Sequence, residues 1–310
     1  MSSYTLLPGS GGRELAAAVA SRLGIALGAC EVERFPDGET HVQVLEPVRR
    51  KEVFLLHSTG PPVNENLVEL LALIDACRRA AAGPITAVLP YFGYCRSDKR
   101  HARREPIAAS MVATCLQALG VAHVVTIDLH ASQIEGFFHV PVDNLTAEPS
   151  LCATLREQLS PGTVVVAPDE GAVKLATRYA RRLGTRVVVA HKERQSGTET
   201  HLTQVVGEVK GYPCLIVDDM ISTGGTIREC VEGLLAAGAR PEITVAATHG
   251  LFTGQAREKL THPAIRRIYV TDTLPPPVDA WPVLEVVSLA PLLATAIQRF
   301  TGNGSISDLF

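Results

Sequence analysis

Two adjacent carboxylates stand in the stretch IVDDMISTGGTI, residues 216–227, directly after an apolar run. A carboxylate offers several hydrogen-bond acceptor sites and suits a pair of sugar hydroxyls. It would repel an anion placed against it. Asp218 and Asp219 therefore make chemical sense if they face an uncharged, hydroxyl-rich part of a ligand.

The turn that follows the two acids has the composition of a phosphate-binding loop. Gly224 and Gly225 allow a tight turn that exposes backbone N–H groups, and the start of the next helix adds roughly half a positive charge. The hydroxyl donors are Ser222, Thr223 and Thr226. A phosphate in this loop and a ribose over the acids describe a 5-phosphoribosyl group. A Walker A loop is excluded here, because no Gly-Lys-Ser/Thr occurs in the segment. The alternative, in which the acids cap a helix and the glycines only turn, stays open.

The elements that must position this loop alternate along the chain. Short β-branched runs are separated by segments with apolar residues at helical spacing, which is typical of parallel sheets covered on both faces. The loop then lies at the carboxyl end of a strand, where α/β sheets place ligands. The predicted strands are residues 52–58, 85–91, 123–129, 163–169, 186–192, 213–219 and 242–250.

This series of strands is too long for one compact sheet, so we predict two α/β domains, each with a largely parallel sheet flanked by helices. The domains are predicted at 1–145 and 146–285, with the break in the segment 143–150. Residues 286–310 are expected to pack back on the first domain, and the proline-rich segment 274–282 is predicted to be a rigid connector.

Composition restricts the classes of partner. The net charge is −3, so bulk electrostatics gives no reason to expect a nucleic acid or an anionic membrane. The N-terminus lacks the features of a signal peptide, and no apolar run of about 18 residues occurs. The seven cysteines are scattered without a CxxC pair, which indicates a reduced, cytoplasmic protein; they are Cys30, Cys77, Cys95, Cys115, Cys152, Cys214 and Cys230.

The loop resembles the phosphoribosyl-diphosphate (PRPP) binding signature of type I phosphoribosyltransferases and ribose-phosphate pyrophosphokinases. The pyrophosphokinase family, also called PRPP synthetases, is favoured because further segments resemble it in order along nearly the whole chain: RFPDGE, LPYFGYCRSDKR, REPI, TIDLHASQIEGFFHVPVDNL, APDEG, THGLFTG, VTDTLP and SISDLF. The resemblance implies two phosphoribosyltransferase-type domains, with ATP and subunit contacts in the first and the ribose 5-phosphate loop in the second. It implies transfer of a diphosphoryl group from MgATP to the 1-hydroxyl of ribose 5-phosphate, giving PRPP and AMP. It also implies a homo-oligomer built from dimers, a hexamer in many members.

The same resemblance assigns residues to each ligand. Phe35, Asp37 and Glu39 would contact adenine, in part on a neighbouring subunit, while Arg96, Ser97, Asp98 and His130 would contact ATP. His130 and Asp169 would hold Mg²⁺, which prefers oxygen ligands and keeps waters. Lys192 and Arg194 would begin a mobile catalytic loop whose cations stabilise the charge of phosphoryl-type transfer. The ribose 5-phosphate residues would be Asp218, Asp219, Ser222, Thr223, Gly224, Gly225 and Thr226.

Three departures from the family pattern bear on these assignments. Ser97 stands where the family commonly has Gln, Glu170 where it has a small or apolar residue, and Ser222 where it often has an acid. Two other functions remain open: a phosphoribosyltransferase that consumes PRPP, and a non-catalytic subunit that regulates an active partner. Regulation by ADP and phosphate is a further expectation, with Arg49 and Arg104 as its basic candidates.

Overall fold

In the computed structural model, the strands and helices of the chain are divided between two α/β units. The structure describes residues 4–100, 102–194, 200–279, 281–302 and 304–310, and within 191–194 and 200–204 it describes the backbone alone. The strands are β1 (Tyr4–Pro8), β2 (Cys30–Arg34), β3 (Thr40–Val44), β4 (Glu52–Leu56), β5 (Ile85–Leu89), β6 (His123–Ile127), β7 (Val142–Leu145), β8 (Val164–Ala167), β9 (Val187–Arg194), β10 (Thr200–Val206), β11 (Cys214–Ile221), β12 (Ile243–Gly250), β13 (Ile265–Thr271) and β14 (Leu284–Val287). The α-helices are α1 (Arg13–Leu23), α2 (Val63–Arg79), α3 (Ala108–Ala118), α4 (Glu148–Gln158), α5 (Val173–Leu183), α6 (Gly225–Ala236), α7 (Ala256–Leu260) and α8 (Ala290–Thr301).

The first unit comprises Met1–Thr146, Thr273–Pro275 and Ser288–Phe310. Its five-stranded sheet has the order β1-β4-β5-β6-β7, and each of these pairings is parallel. The strands β2 and β3 form a separate antiparallel hairpin that packs against α2. The C-terminal helix α8 packs against α1, so the end of the chain belongs to this unit.

The second unit comprises Ala147–Asp272 and Pro276–Val287. Its sheet has seven strands in the order β10-β9-β8-β11-β12-β13-β14. The strand β10 runs antiparallel to β9, and the other described pairings are parallel. The central strand β11 lies between β8 and β12, and its first four residues, Cys214–Val217, are buried because helices cover both faces of the sheet.

The predicted α/β architecture, with a largely parallel sheet in each unit, is confirmed. Each of the seven predicted strands corresponds to an observed one, although β11 extends to Ile221 rather than ending at Asp219. The pattern did not predict β1, β2, β3, β7, β10, β13 or β14, several of which are short or lie at a sheet edge where alternation is weak. Among the described residues, no helix is both long enough and apolar enough to cross a bilayer.

Candidate functional site

The acid pair, Asp218 and Asp219, lies inside the carboxyl-terminal half of β11 rather than in the loop after it. Asp218 pairs in register with Ala247 of β12, so the backbone of the acid pair is held by the sheet. The Asp219 N–H donates to Oδ1 of Asp218 at 2.9 Å. Sheet pairing thus fixes the backbone that carries the two carboxyl groups, and Met220 and Ile221 separate them from the turn into α6.

Asp218 is the most perturbed carboxyl group of this site. Burial raises its pKa well above the usual value, and the neighbouring carboxylates of Asp219 and Asp169 raise it further. Asp169 follows β8, the strand next to β11, and its Oδ1 accepts the Ala172 N–H at 3.2 Å. Three acids therefore share one end of the second sheet, and their negative charges oppose one another. Hydroxyl donors or a cation would relieve this repulsion.

The phosphate loop, residues 222–226, joins β11 to α6. Gly224 has φ +74°, and a Cβ built there would lie 3.0 Å from Cγ of Leu260, so this position requires glycine for its conformation and its packing. The first N–H groups of α6 have no intrahelical partner, as at every helix N-terminus. Among the described residues, no side-chain carboxylate bonds to the N–H groups of 223–227.

The hydroxyl groups of the loop differ in exposure. Thr223 is exposed, while Ser222 and Thr226 are half-buried. Ser222 and Thr253 share a hydroxyl–hydroxyl hydrogen bond of 3.2 Å, and the Thr253 N–H donates to the Ser222 carbonyl at 3.0 Å. The segment after β12 thus holds the first residue of the phosphate loop. Thr253 was not among the predicted site residues, although it lies in the segment THGLFTG.

The adenine candidates lie at the tip of the β2–β3 hairpin in the first unit. Phe35, Asp37 and Glu39 are all exposed. The Glu39 N–H donates to Oδ1 of Asp37 at 3.0 Å, and the Phe35 N–H donates to the Glu39 carbonyl at 2.8 Å. Asp37 therefore has a turn-forming role in addition to its predicted adenine contact, and the Phe35 ring stays accessible for stacking.

The three candidate ATP contacts after β5 lie in different environments. Arg96 is exposed, and no carboxylate among the described residues pairs with it. Ser97 is half-buried, and its Oγ accepts the N–H of Ala108, the first residue of α3, at 3.2 Å. Asp98 is buried and accepts a short hydrogen bond from Gln133. The structure thus gives Ser97 and Asp98 local hydrogen-bonding roles, and Arg96 is the most accessible of these three candidates.

The structure describes the predicted metal ligands in full, but it describes only the backbone of the predicted catalytic residues. His130 is exposed in the loop after β6 in the first unit, and Asp169 lies in the second unit. Among the described residues, no group of three His, Cys, Asp or Glu side chains is arranged to hold a metal ion. Lys192 and Arg194 lie on the backbone of β9, but their side chains and residues 195–199 are outside the described part of the chain. Glu170, the departure beside Asp169, is exposed.

Comparison with known proteins gives the family. The model of the N-terminal domain of ribose phosphate pyrophosphokinase matches residues 4–120, and that of the phosphoribosyl transferase domain matches residues 141–279. The chain is 43% identical over 310 residues to the ribose-phosphate pyrophosphokinase of Thermotoga maritima, covering 97% of this chain and 96% of that protein. It is 42% identical over 311 residues to the enzyme of the same name from Chromobacterium violaceum, covering 99% and 95%. The crystal structure of phosphoribosylpyrophosphate synthetase from Mycobacterium smegmatis superposes with a TM-score of 0.91 at 41% identity, covering 97% of this chain and 99% of that one. The chain therefore belongs to the ribose-phosphate pyrophosphokinase family.

Proposed function

We propose that this chain is a ribose-phosphate diphosphokinase that converts ATP and ribose 5-phosphate into PRPP and AMP. The observation that carries the proposal is the juxtaposition of the acid pair with the phosphate loop at one end of β11. One half of this site suits a sugar phosphate and the other half suits the hydroxyls of the same sugar.

The second unit would orient ribose 5-phosphate. The N–H groups and hydroxyls of the phosphate loop would bind the 5-phosphate, while Asp218 and Asp219 would accept hydrogen bonds from the 2- and 3-hydroxyls. Fixing both ends of the sugar holds its 1-hydroxyl in one position, which removes much of the entropic cost of the reaction.

The transfer itself joins the 1-oxygen of ribose 5-phosphate to the β-phosphorus of ATP. The bond between that phosphorus and the oxygen bridging to the α-phosphate breaks, AMP departs with the bridging oxygen, and the proton of the 1-hydroxyl is released. Arg96, Lys192 and Arg194 would stabilise the negative charge that develops on the phosphoryl oxygens. No side chain is assigned as the general base.

A magnesium ion would be held near the acidic end of the second sheet. The carboxylate of Asp169 is a hard oxygen donor of the kind that Mg²⁺ prefers, and the mutual repulsion of Asp169, Asp218 and Asp219 favours a cation nearby. Asp169 would be its protein ligand, with His130 as the contact suggested by the family resemblance. When bound, Mg²⁺ offsets charge on the transferred phosphoryl group.

The exposed tip of the β2–β3 hairpin supports a contact with another copy of the chain. Phe35 exposes a large apolar surface, and Asp37 and Glu39 offer acceptors for an adenine amino group. We propose that this tip completes the ATP site of a neighbouring copy in a homo-oligomer built from dimers.

The decisive experiment measures AMP release from ATP and ribose 5-phosphate, with and without Mg²⁺. We expect AMP only when all three are present. Lys192→Ala and Arg194→Ala should each lower kcat by on the order of a hundredfold. Diphosphate release from PRPP plus a nucleobase, without AMP release from ATP, would instead identify a phosphoribosyltransferase. Absence of AMP release by the chain alone, together with co-purification with another synthetase, would identify a regulatory subunit.

A further inference from the structure

The helix α7 packs directly against the phosphate loop. Ala256 and Leu260 are buried, and a Cβ on Gly224 would lie 3.0 Å from Cγ of Leu260 and 3.4 Å from the Ala256 carbonyl oxygen. The hydrogen bonds between Ser222 and Thr253 hold the segment that leads into the helix. The position of α7 relative to the loop is therefore set by close packing.

Lys259 is the residue of α7 whose charge reaches the loop. Its Nζ lies 4.0 Å from the point where a Cβ on Gly225 would be, beside the first turn of α6. The side chain is half-buried, and its backbone is held by the Lys259 N–H bond to the Gln255 carbonyl at 3.0 Å. Among the described residues, no Asp or Glu carboxylate lies within ion-pair distance of this ammonium group. An unneutralised cation thus stands beside the N–H groups proposed to bind the 5-phosphate.

We propose that Lys259 binds the 5-phosphate of ribose 5-phosphate and so determines the affinity for the phosphorylated sugar. This inference rests on the proposed function of the phosphate loop and adds a residue to it. A phosphate dianion needs more positive charge than the end of one helix supplies, and a lysine ammonium on a flexible stem suits a point contact with phosphate oxygen. The phosphate stays intact during the transfer, so Lys259 would contribute to substrate affinity and little to the chemical step.

The test compares Lys259→Met, Lys259→Arg and a matched control, Lys210→Met. Methionine keeps the apolar stem and removes the charge, while arginine keeps the charge. Lys210 is exposed and lies before β11, at the opposite end of the strand from the phosphate loop. Lys210→Met therefore makes the same change in net charge within the same unit. For each variant we would measure kcat, the KM of each substrate, the Tm, and ribose 5-phosphate binding by calorimetry.

We expect Lys259→Met to raise the KM for ribose 5-phosphate by about 10- to 100-fold, as for loss of a hydrogen bond to a charged group. Its kcat, its KM for ATP and its Tm should stay close to those of the parent, Lys259→Arg should recover most of the affinity, and Lys210→Met should match the parent. An unchanged KM for ribose 5-phosphate would overturn the inference. So would an equal rise in both KM values, or a loss that arginine does not recover, because either result indicates a structural role.

The two proposals fail in different ways. If the parent releases AMP and Lys259→Met has normal kinetics, the proposed function stands and the role of Lys259 is rejected. If the parent binds ribose 5-phosphate but releases no AMP, the proposed reaction is rejected, and calorimetry on Lys259→Met still decides the role of this lysine. A parent that binds no ribose 5-phosphate would overturn both.

Discussion

Two glycine-containing loops that lead from a strand into a helix satisfy their N–H groups in opposite ways. The first lies between β1 and α1, residues 9–12, and its acceptor is a carboxyl group of its own unit. The Ser10 N–H donates to Oε1 of Glu69 at 2.6 Å, and the Ser10 hydroxyl donates to Oε2 at 2.5 Å. Glu69 is fully buried, so this loop is filled by the protein itself.

His57 supplies a second internal acceptor for the N–H groups of the first loop. It is fully buried, its Nδ1 accepts the Gly11 N–H at 3.2 Å, and its Nε2 bonds to the Asn66 carbonyl at 2.8 Å. These partners require a neutral ring with the proton on Nε2. A Cβ on Gly9 would lie 2.1 Å from Nδ1, so glycine permits the close approach of the ring.

The phosphate loop at residues 222–226 lacks such an internal acceptor among the described residues, and it stands next to acids that repel one another. The difference supports the proposal that the second loop binds a ligand, while the first loop stabilises the fold. A loop with every group satisfied contributes to stability, while a loop with open donors and opposed charges gives up stability for binding.

The largest expected effect is the removal of the internal acceptor. Glu69→Ala should lower the free energy of unfolding by about 2–3 kcal/mol, because it removes the acceptor of two hydrogen bonds from Ser10 and leaves a cavity where a fully buried side chain stood. Urea denaturation would measure this loss. The control is Glu65→Ala, which removes an exposed acid of the same helix that pairs with Arg34 and should cost about 1 kcal/mol or less. Equal costs at the two positions would contradict the idea that the first loop depends on Glu69.

Asp218→Asn should have opposite effects on stability and activity. Burial and like charges raise the pKa of Asp218, so the folded state binds this proton more readily than the unfolded chain. Stability therefore falls as the pH rises above about 3.8, the usual value, toward the folded pKa. Replacing the acid by a neutral amide should raise the Tm at neutral pH, measured in EDTA so that no cation masks the repulsion.

The same variant should lose about 10- to 100-fold in kcat/KM, because an amide accepts fewer hydrogen bonds from the sugar and carries no charge. The control is Asp279→Asn, at an exposed acid of the second unit, which should change neither quantity. An Asp218→Asn protein that is less stable in EDTA than its parent would show that the acid supports the fold and would break the contrast between the loops.

Gly224→Ala and Gly225→Ala separate conformation from access within the phosphate loop. Gly224→Ala should cost about 1–2 kcal/mol from its positive φ alone, with a further cost from the contact with Leu260. At Gly225 a Cβ has no heavy atom closer than 3.8 Å, so alanine should keep or slightly raise stability. Its methyl group stands where the phosphate is proposed to approach, so the KM for ribose 5-phosphate should rise. Equal unfolding free energies for the two variants would contradict this division.

The sequence revealed the second loop more fully than the first because its parts are local. Asp218, Asp219 and the loop after them lie within one short segment, and a buried strand and an amphipathic helix flank it. In the first loop, the hydrogen bonds join Ser10 to Glu69, which lie 59 positions apart in the sequence. No periodic pattern of residue types links positions that far apart. Lys259 was not predicted as a site residue for the same reason, because only the packing of α7 brings it to the phosphate loop.

The three neighbouring residues of the proposed ATP segment lie in different environments. The family resemblance assigns Arg96, Ser97 and Asp98 to ATP. In the structure, Ser97 bonds to the start of α3 and Asp98 bonds to Gln133. Neighbouring residues of an irregular segment point in different directions, and backbone geometry decides which of them stays accessible.

The smallest expected effect is the pH dependence of the first loop. Burial lowers the pKa of His57, so the unfolded chain binds this proton more readily than the folded protein. The stability that this group contributes is therefore fully present above about pH 6.5. It decreases as the pH falls from there toward the folded pKa, by at most about 1.4 kcal/mol per pH unit.

Urea denaturation between pH 8 and 5.5 should show this loss in the parent and in His139→Gln, which changes an exposed histidine of the same unit. In His57→Gln the curve should start lower, because the Gln amide reproduces the bonds poorly, but it should be flatter over this range. The sign is opposite to that expected for Asp218, because the histidine must stay neutral to accept the Gly11 N–H whereas ionisation of the acid adds to the repulsion beside the phosphate loop. A His57→Gln curve as steep as the parent curve would place the acid sensitivity elsewhere and remove His57 from the account of the first loop.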